Sequence, residues 1–366
     1  MKRAILLSVG LLAVLVALIL FVPRLRDARL TLRAVVIRLG LTAGLDSDDI
    51  EFQSARSTLS GTIVFPEELP PRAAIVLIHG SGRTTRMLWM AHFFTSEGLA
   101  VLTYDKRGVG KSGGTFVGGI SAGSATNLHL LAQDAAAAAA TMSLHPRLRG
   151  TPVGYVGFSQ GGWIGPLAAV GPPAVSFMVF FSGPVTTVAE EGYFSDLAEN
   201  DADFWKTHTH QEVGQYMKAV RYPSDDLDPR AALSQLHIPA FWAFGGLDNV
   251  MPVDLSIIRL QELIAAGQSQ FHYTLYPEHG HELIVYDFSR MSLSRPLKDG
   301  ADWIKRTVVG AAQQRARPCE NFLTARCVPP DRTRMSANPK VKGVEAWDEL
   351  YPRGESGANL LVARSH

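Results

Sequence analysis

Short apolar runs alternate with longer amphipathic stretches through the middle of the chain. A run of about six apolar residues is typical of a parallel strand that is buried on both faces of its sheet. Strands of this kind are predicted at residues 73–79, 99–104, 153–158, 175–181, 239–244 and 271–276. Helices are predicted from the spacing at residues 84–97, 126–144, 252–266 and 295–309, and directly after Ser159. This alternation predicts a mostly parallel central sheet with helices on both faces.

Two regions of the globular part break this alternation. Residues 57–65 alternate between apolar and polar side chains around Gly61, which predicts an antiparallel hairpin that turns at this glycine. Residues 186–235 are polar, carry aromatic side chains and lack strand periodicity. We predict that this second segment is a small helical lid, inserted over the carboxyl edge of the sheet.

The N-terminus has a pattern of its own. Residues 4–22 are uncharged and almost wholly apolar, and Pro23 follows them. Because these residues would reach about 28 Å as a helix, close to the thickness of a bilayer's hydrocarbon core, we predict a single-pass transmembrane helix within residues 1–23. The protein is then located in a membrane, with its orientation left open. A cleaved signal peptide is the alternative, in which case the protein is exported.

These patterns divide the 366 residues into four segments. The anchor or signal segment covers residues 1–23, a basic linker covers residues 24–57, and the globular domain covers residues 58–311. Residues 312–366 mix Arg, Pro and Ser without an apolar period, which predicts a disordered tail.

Composition and charge exclude several classes of function. The net charge of +1 gives no indication of a nucleic-acid partner. Cys319 and Cys327 are the only cysteines, and both lie in the predicted tail, which argues against a disulfide framework in the globular domain. No cluster of His, Cys and Asp has the spacing of metal ligands, so we expect neither a metal nor another cofactor. The oligomeric state stays open.

The candidate chemistry centres on Gly157-Phe158-Ser159-Gln160-Gly161, a Gly-x-Ser-x-Gly sequence between a predicted strand and a helix-compatible segment. In a nucleophile elbow, a strand turns sharply into a helix, and glycines are needed at the two flanking positions because the segments nearly touch. The serine hydroxyl is then exposed at the carboxyl edge of the sheet. This context predicts that Ser159 is a catalytic nucleophile.

An acid and a histidine complete the candidate site. Asp248 follows the strand predicted at residues 239–244, and His281 follows the next predicted strand. A serine hydroxyl becomes an effective nucleophile when a histidine takes its proton and a carboxylate orients that histidine. Because the carboxyl ends of parallel strands meet at one edge, where an open α/β sheet places its ligand site, we predict that Ser159, Asp248 and His281 form a triad.

Other residues compete for two of these positions. His279 stands two residues before His281 and is the alternative base. Glu278 and Asp254 are weaker candidates for the acid. Asp248 is preferred because its Gly-Gly-x-Asp sequence places it at a strand end.

A glycine-rich motif at residues 108–114 follows the strand predicted at residues 99–104. Its Gly-Lys-Ser sequence matches the end of a phosphate-binding loop, but the first glycine of such a loop would have to stand where Asp105 does. A carboxylate there would repel phosphate, so this interpretation is rejected. Asp105 and Arg107 are instead predicted to pair with each other and to stabilise the turn near the site.

Four motifs occur in order along the chain. They are His79-Gly80-Ser81-Gly82, residues 104–112, the Ser159 elbow, and the paired loops of Asp248 and His281. With these motifs, residues 58–308 resemble serine hydrolases of the α/β-hydrolase superfamily and are similar to its bacterial esterase, S33-peptidase-like and acyl-thioesterase-like branches. The resemblance implies the α/β-hydrolase fold and a catalytic histidine directly after a Pro-x-x-Gly stretch, where His281 stands. It is specific for the fold and not for the substrate.

Acyl transfer also needs hydrogen-bond donors for the developing oxyanion. By the geometry of an elbow, one donor is the backbone N–H of Gln160, the residue after the nucleophile. The other donor is expected in the loop after the strand at residues 73–79. It is the N–H of Ser81, or that of Gly82 if the loop register differs by one.

These residues predict hydrolysis of carboxylic esters in a small-molecule substrate through an acyl-enzyme. Trp205 and Gly82 are predicted to line the substrate pocket, whereas Trp163 and Trp242 are expected in the core. An acyl-thioesterase and an aminopeptidase are alternatives on the same triad. The aminopeptidase would hold a substrate amine with acidic residues of the lid, for which the candidates are Glu190, Glu191, Glu199 and Asp201. A catalytically inactive, membrane-tethered binding module is the alternative of another class.

Overall fold

The computed structural model describes residues 45–67, 70–199, 201–222, 226–283, 286–287 and 292–315. The predicted anchor, most of the linker and residues 316–366 of the predicted tail lie outside these residues and stay predictions. Residues 312–315, which were assigned to the tail, are instead the end of a helix. Within the described residues, no helix combines the length and the apolar character that crossing a membrane requires.

The strands form one large sheet and one small one. The bounds in the large sheet are β1 Ser47–Ser54, β2 Ser57–Val64, β3 Ala73–Ile78, β4 Leu99–Tyr104, β5 Val153–Phe158, β6 Met178–Phe181, β7 Ala240–Gly245 and β8 Phe271–Tyr276. Their order is β1-β2-β4-β3-β5-β6-β7-β8. The strands from β3 to β8 are parallel, whereas β2 runs antiparallel to both β1 and β4. The small sheet pairs β9 Tyr286–Asp287 with β10 Ser292–Leu293. The predicted α/β-hydrolase fold with a mostly parallel sheet is confirmed.

Helices cover both faces of the large sheet. Their bounds are α1 Leu88–Ser96, α2 Ala125–Leu144, α3 Gly161–Ala169, α4 Val188–Ala198, α5 Phe204–Thr207, α6 His210–Ala219, α7 Arg230–Leu233, α8 Val253–Ala265 and α9 Arg295–Arg315. Helices α1 and α9 pack on one face, around a core that includes Phe94, Val156 and Ile304. Helix α2 packs on β3 and β5 and against α3, whose Gly165 lies against Phe180 on the opposite face.

The burial of the strands explains why the sequence predicts them. All six residues of β3, of β4 and of β7 are buried. A strand that is covered on both faces favours apolar side chains at every position, so it appears in the sequence as a continuous apolar run.

The antiparallel hairpin differs from its prediction. β1 and β2 turn at Ala55, which has a φ of 50°, and β2 runs straight through Gly61. A Cβ atom at Gly61 would lie 3.0 Å from the carbonyl oxygen of Thr103, so this glycine lets β2 and β4 approach each other and makes no turn. β1 was not predicted, and its residues were assigned to the linker. Most of them are exposed or half-buried, so this edge strand has no apolar run that would reveal it in the sequence.

The segment between β6 and β7 is helical and contains α4 to α7. Two of these helices begin with a capping box, formed by Thr187 with Glu190 at α4 and by Thr209 with Glu212 at α6. Five buried residues of the segment form a small core of their own: Phe194, Ala198, Phe204, Val213 and Met217. This helical insertion therefore packs around a separate apolar cluster.

Candidate active site

Ser159 lies at a sharp turn between β5 and α3. Its φ of 48° is in the left-handed region, which costs a residue with a side chain about 1–3 kcal/mol. A Cβ atom at Gly157 would lie 3.1 Å from the backbone of Gly161, and one at Gly161 would lie 3.2 Å from the carbonyl oxygen of Ile78. The strand and the helix thus approach so closely that both flanking positions need glycine. This is the geometry of a nucleophile elbow.

The structure brings the three predicted triad residues together in one hydrogen-bonded row. The Oγ atom of Ser159 lies 3.0 Å from Nε2 of His281, and Nδ1 of His281 lies 2.8 Å from Oδ2 of Asp248. The other carboxylate oxygen of Asp248 accepts the N–H groups of Val250 and Met251, each at 2.8 Å. Because a carboxylate only accepts, Nδ1 of His281 carries the proton and Nε2 accepts from the serine hydroxyl.

Close backbone packing holds the two loops of this row in register. A Cβ atom at Gly245 would lie 2.3 Å from the carbonyl oxygen of Gly280, and one at Gly246 would lie 2.7 Å from that of Pro277. The N–H of Leu247 also donates to the carbonyl oxygen of His279, at 2.9 Å. The Gly-Gly-x-Asp sequence is therefore needed for the loop after β7 to pack against the loop after β8.

The surroundings of His281 favour its protonated form. Burial lowers the pKa of His281, but the charge and hydrogen bond of Asp248, with smaller effects of Glu191 and Glu282, raise this pKa above its ordinary value. The carboxylate of Asp248 is fully buried, whereas the imidazole of His281 remains 19% exposed. The site can thus accept a proton on His281 and stabilise the resulting charge.

The loop after β3 passes beside Ser159. A Cβ atom at Gly80 would lie 3.5 Å from Cβ of Ser159, which places the Gly80 backbone in contact with the serine. Ser81 and Gly82 follow on the exposed surface of the loop. Gln160 is only 3% exposed at the start of α3. The two predicted oxyanion residues, Ser81 and Gln160, therefore follow directly the residues that meet at the elbow.

Trp205 is held against the backbone of the acid. Its indole Nε1 donates to the carbonyl oxygen of Asp248 at 2.8 Å, and its ring stacks on His210 with centroids 4.0 Å apart. The two tryptophans expected in the core are buried: Trp242 is fully covered, and Trp163 is 5% exposed.

The competing candidates lie outside the hydrogen-bonded row. His279 packs on Tyr276 with ring centroids 5.6 Å apart, and Glu278 is exposed. Oδ2 of Asp254 lies 2.7 Å from Nδ1 of His210, in a second aspartate–histidine contact that joins α8 to α6.

The predicted pair between Asp105 and Arg107 is wrong. Asp105 accepts hydrogen bonds from the backbone of Arg86 at 2.8 Å and from its guanidinium at 3.0 Å, whereas Arg107 pairs with Asp134 on α2. Each side chain points to a different element, and each finds a partner that is distant in sequence. This arrangement ties α2 and the loop before α1 to the end of β4.

The structure places two further residues near the row. Lys106 is not among the predicted site residues, and Glu191 is predicted only as one of four acidic candidates in the lid. Lys106 is 3% exposed and lies between Gly80 and Gln160. Glu191, on α4, interacts electrostatically with both His281 and Asp248. Burial raises the pKa of Glu191 to about 7, while the charge of His281 lowers it and that of Asp248 raises it. The sequence places Lys106 beside a predicted site motif, but a lysine there is ordinarily exposed.

Comparisons with known proteins agree with this fold. Residues 69–234 match the model of a family described as serine aminopeptidase, S33. No curated protein sequence matches the chain.

The chain is similar to three solved structures, each with a TM-score of 0.52. An esterase from Pyrococcus furiosus is 16% identical, over 72% of this chain and 92% of the esterase. An acylaminoacyl peptidase from Pyrococcus horikoshii is 15% identical, over 74% of this chain and 42% of the peptidase. A 2,6-dihydroxy-pseudo-oxynicotine hydrolase is 17% identical, over 77% of this chain and 74% of the hydrolase. The chain therefore has the α/β-hydrolase fold and resembles the serine aminopeptidase S33 family over residues 69–234.

Proposed function

We propose that this chain is a serine hydrolase that cleaves carboxylic esters through an acyl-enzyme. The observation that carries the proposal is the row from Ser159 through His281 to Asp248, with contacts of 3.0 and 2.8 Å. As Oγ of Ser159 attacks the ester carbonyl, Nε2 of His281 takes the hydroxyl proton. The tetrahedral intermediate collapses, the ester C–O bond breaks, and His281 returns the proton to the leaving alcohol. A water molecule, deprotonated by His281, then releases the carboxylic acid.

Asp248 and two backbone N–H groups support these steps in the proposal. Asp248 holds the Nδ1–H tautomer of His281 and stabilises the imidazolium that forms. The N–H groups of Gln160 and Ser81 donate to the oxyanion, as an oxyanion hole beside the elbow requires. Gly82 stays the alternative donor.

The helical insertion acts as a lid in this proposal. Trp205 of α5 donates to the backbone of Asp248, and Nδ2 of Asn249 donates to the carbonyl oxygen of Asp201 at 2.9 Å. The insertion thus contacts the loop that carries the acid. Trp205 would form part of the pocket wall from this position.

The test is hydrolysis of p-nitrophenyl esters, from acetyl to palmitoyl, by the full chain and by Ser159→Ala. We expect turnover by the native protein that the substitution abolishes, since the nucleophile is lost while the fold is kept. The best chain length then measures the size of the acyl pocket. Turnover that persists in a folded Ser159→Ala variant would rule out the assignment.

An aminopeptidase is the second candidate, and the position of Glu191 favours it. Glu190 is buried and paired with Arg259 at 2.8 Å, so it is not available to a substrate amine. Glu191 is half-buried and its charge reaches His281 and Asp248. Turnover of amino-acid p-nitroanilides, with a higher KM in Glu191→Gln and an unchanged KM for neutral esters, would support the aminopeptidase. Equal effects of the substitution on both substrate classes would argue against it.

The acyl-thioesterase and the inactive binding module are separated from the esterase by chemical labelling. A fluorophosphonate probe should label Ser159 if the hydroxyl is activated. Labelling without turnover of any oxygen ester would direct the search to thioesters and peptides. A folded protein whose Ser159 stays unlabelled would favour the binding module.

Membrane anchoring through residues 4–22 is part of the proposal and is supported by their apolar sequence alone. Deletion of residues 1–23 should release the protein from the membrane fraction of expressing cells. Retention of the shortened protein in that fraction would remove the anchor from the proposal.

A further inference from the structure

Lys106 is a buried lysine at the carboxyl edge of the sheet, two residues after β4. Its Nζ atom donates to the carbonyl oxygen of Gly80 at 2.6 Å and to Oε1 of Gln160 at 2.9 Å. It also lies 5.8 Å from the centre of the Phe116 ring, within the range of a cation–π contact. Burial of an ammonium group costs free energy, so a lysine in this position indicates a role that offsets the cost.

The charged groups around Lys106 do not supply a salt bridge. Among the described residues, no carboxylate forms an ion pair with its ammonium. The adjacent Asp105 is bound by Arg86. His79 is neutral, since burial and the charge of Lys106 lower its pKa to about 3. The other cation near this ring is Arg83, whose guanidinium carbon lies 4.9 Å from the centre of Phe116.

Each of the two acceptors of Lys106 is covalently linked to one of the expected oxyanion donors. The carbonyl group of Gly80 and the N–H of Ser81 are parts of one peptide group. In a trans peptide they point in opposite directions, so a fixed carbonyl fixes the direction of the N–H. A glycine before this peptide would otherwise let it rotate at little cost. Gln160, the second acceptor, carries the other expected donor on its own backbone.

We propose that Lys106 is a positioning residue of the oxyanion hole, which holds the Gly80–Ser81 peptide and the side chain of Gln160 beside Ser159. The side chain of Gln160 is fixed at its other end too, because its Nε2 donates to the carbonyl oxygen of Ala122 at 2.8 Å. An ammonium on the Gly80 carbonyl also polarises that peptide and makes the Ser81 N–H a stronger donor. The inference rests on the proposed serine hydrolase and extends it to a residue that touches no substrate.

The charge of Lys106 gives this role a measurable signature. Burial lowers the pKa of Lys106 to about 8, so the ammonium is present below this pH and is lost above it. Loss of a proton from His281 as the pH rises makes it a better base, so this change would raise activity and cannot cause an alkaline decline. Activity that depends on the ammonium therefore falls as pH rises through about 8.

The experiment compares Lys106→Met and Lys106→Gln with Lys111→Met, which changes an exposed lysine of the same loop. The rate of Ser159 labelling by a fluorophosphonate and the kcat for a p-nitrophenyl ester are measured from pH 6 to about 10. In Lys106→Met we expect both to fall by about 10- to 100-fold, less than or comparable to loss of one oxyanion donor, with little change in KM. We also expect the alkaline decline to disappear. Lys106→Gln keeps a neutral donor, so it should retain more activity than Lys106→Met and also lack the decline. Lys111→Met should match the native protein.

The outcomes separate this inference from the function on which it rests. Native protein that is not labelled at Ser159 would overturn the serine hydrolase and the role of Lys106 together. Native protein that is labelled, with the same rate and pH profile in Lys106→Gln, would overturn the role of Lys106 alone. Melting temperatures identify a variant that has lost its fold. If Lys106→Met unfolds, a folded Lys106→Gln protein still decides the result. Its pH profile should lack the alkaline decline only if loss of the Lys106 charge causes that decline.

Discussion

The carboxyl edge of the sheet and the helical insertion beside it are built differently. Ser159, Asp248 and His281 follow strands of a continuous core, and packed backbone at Gly157, Gly245 and neighbouring glycines fixes them. The insertion instead folds around five buried residues of its own. Polar contacts such as that of Trp205 with Asp248 join it to the rest.

This difference in packing suits the two regions to different tasks. A catalytic row must be held to a fraction of an ångström, which close-packed strands and backbone contacts provide. A segment that packs around a small core of its own can open at a lower free energy than the main core does. We therefore expect the chemistry to depend on the sheet edge, and substrate access to depend on the insertion.

The largest expected effect comes from the acid of the row. Asp248→Asn keeps the shape of the side chain but loses the charge that holds the Nδ1–H tautomer of His281. We expect kcat for a p-nitrophenyl ester to fall by about 10³- to 10⁴-fold. The matched control is Asp254→Asn, which alters the contact of α8 with His210 and should leave kcat near the native value. Similar losses of kcat in the two variants would contradict the expectation that the chemistry depends on the sheet edge and not on the insertion.

A large loss of stability is expected at the buried ion pair below that edge. Asp134→Ala leaves the guanidinium of Arg107, which is 5% exposed, without its carboxylate. We expect the free energy of unfolding in urea to fall by about 3–5 kcal/mol, because an uncompensated buried charge remains. Gln133→Ala, on the exposed side of the same helix, serves as the control. An Asp134→Ala protein as stable as this control would show that the pair is not needed.

The parts of the fold that the sequence predicts are those in which burial fixes the residue type. Strands covered on both faces give apolar runs, and the elbow needs glycine at Gly157 and Gly161. The chain order of Ser159, Asp248 and His281 then locates the candidate site, because parallel strands share one carboxyl edge. The roles of these residues stay predictions until activity is measured.

The parts that the sequence misses depend on contacts between distant segments. β1 is an edge strand with a polar pattern, and Gly61 serves a close approach of strands that local sequence does not show. The partners of Asp105 and Arg107 come from α2 and from the loop before α1. Lys106 is buried against all expectation for its residue type. The capping boxes at α4 and α6 were a usable local signal for where the helices of the insertion begin.

A smaller effect is expected where the insertion meets the acid loop. Trp205→Phe removes the 2.8 Å bond to the carbonyl oxygen of Asp248, and Trp163→Phe removes a bond of the same length to Thr186. Each bond contributes about 1 kcal/mol to stability, so both variants should be destabilised by a similar amount in thermal unfolding. Only Trp205→Phe should also lower kcat, by about fivefold if the whole contribution acts on the transition state. A kcat loss of equal size in Trp163→Phe would mean that general loosening, and not the Asp248 contact, is responsible.

The smallest expected effect tests how far the insertion influences the row electrostatically. Asp248 and Glu191 raise the pKa of His281 against the effect of burial, and His281 must be neutral to act as a base. The rise of kcat/KM with pH should therefore have its midpoint above about 6.5, the ordinary value of histidine. The pKa of Glu191 is itself about 7, so this carboxyl is partly ionised near that midpoint. Glu191→Gln removes this partial charge, and the midpoint should move to lower pH by less than about half a unit. Glu199→Gln, at the end of the same helix, should not move it. Glu191 is on α4 of the insertion, whereas His281 follows β8 of the sheet. An unmoved midpoint in Glu191→Gln would mean that residues at the sheet edge alone set the pKa of His281.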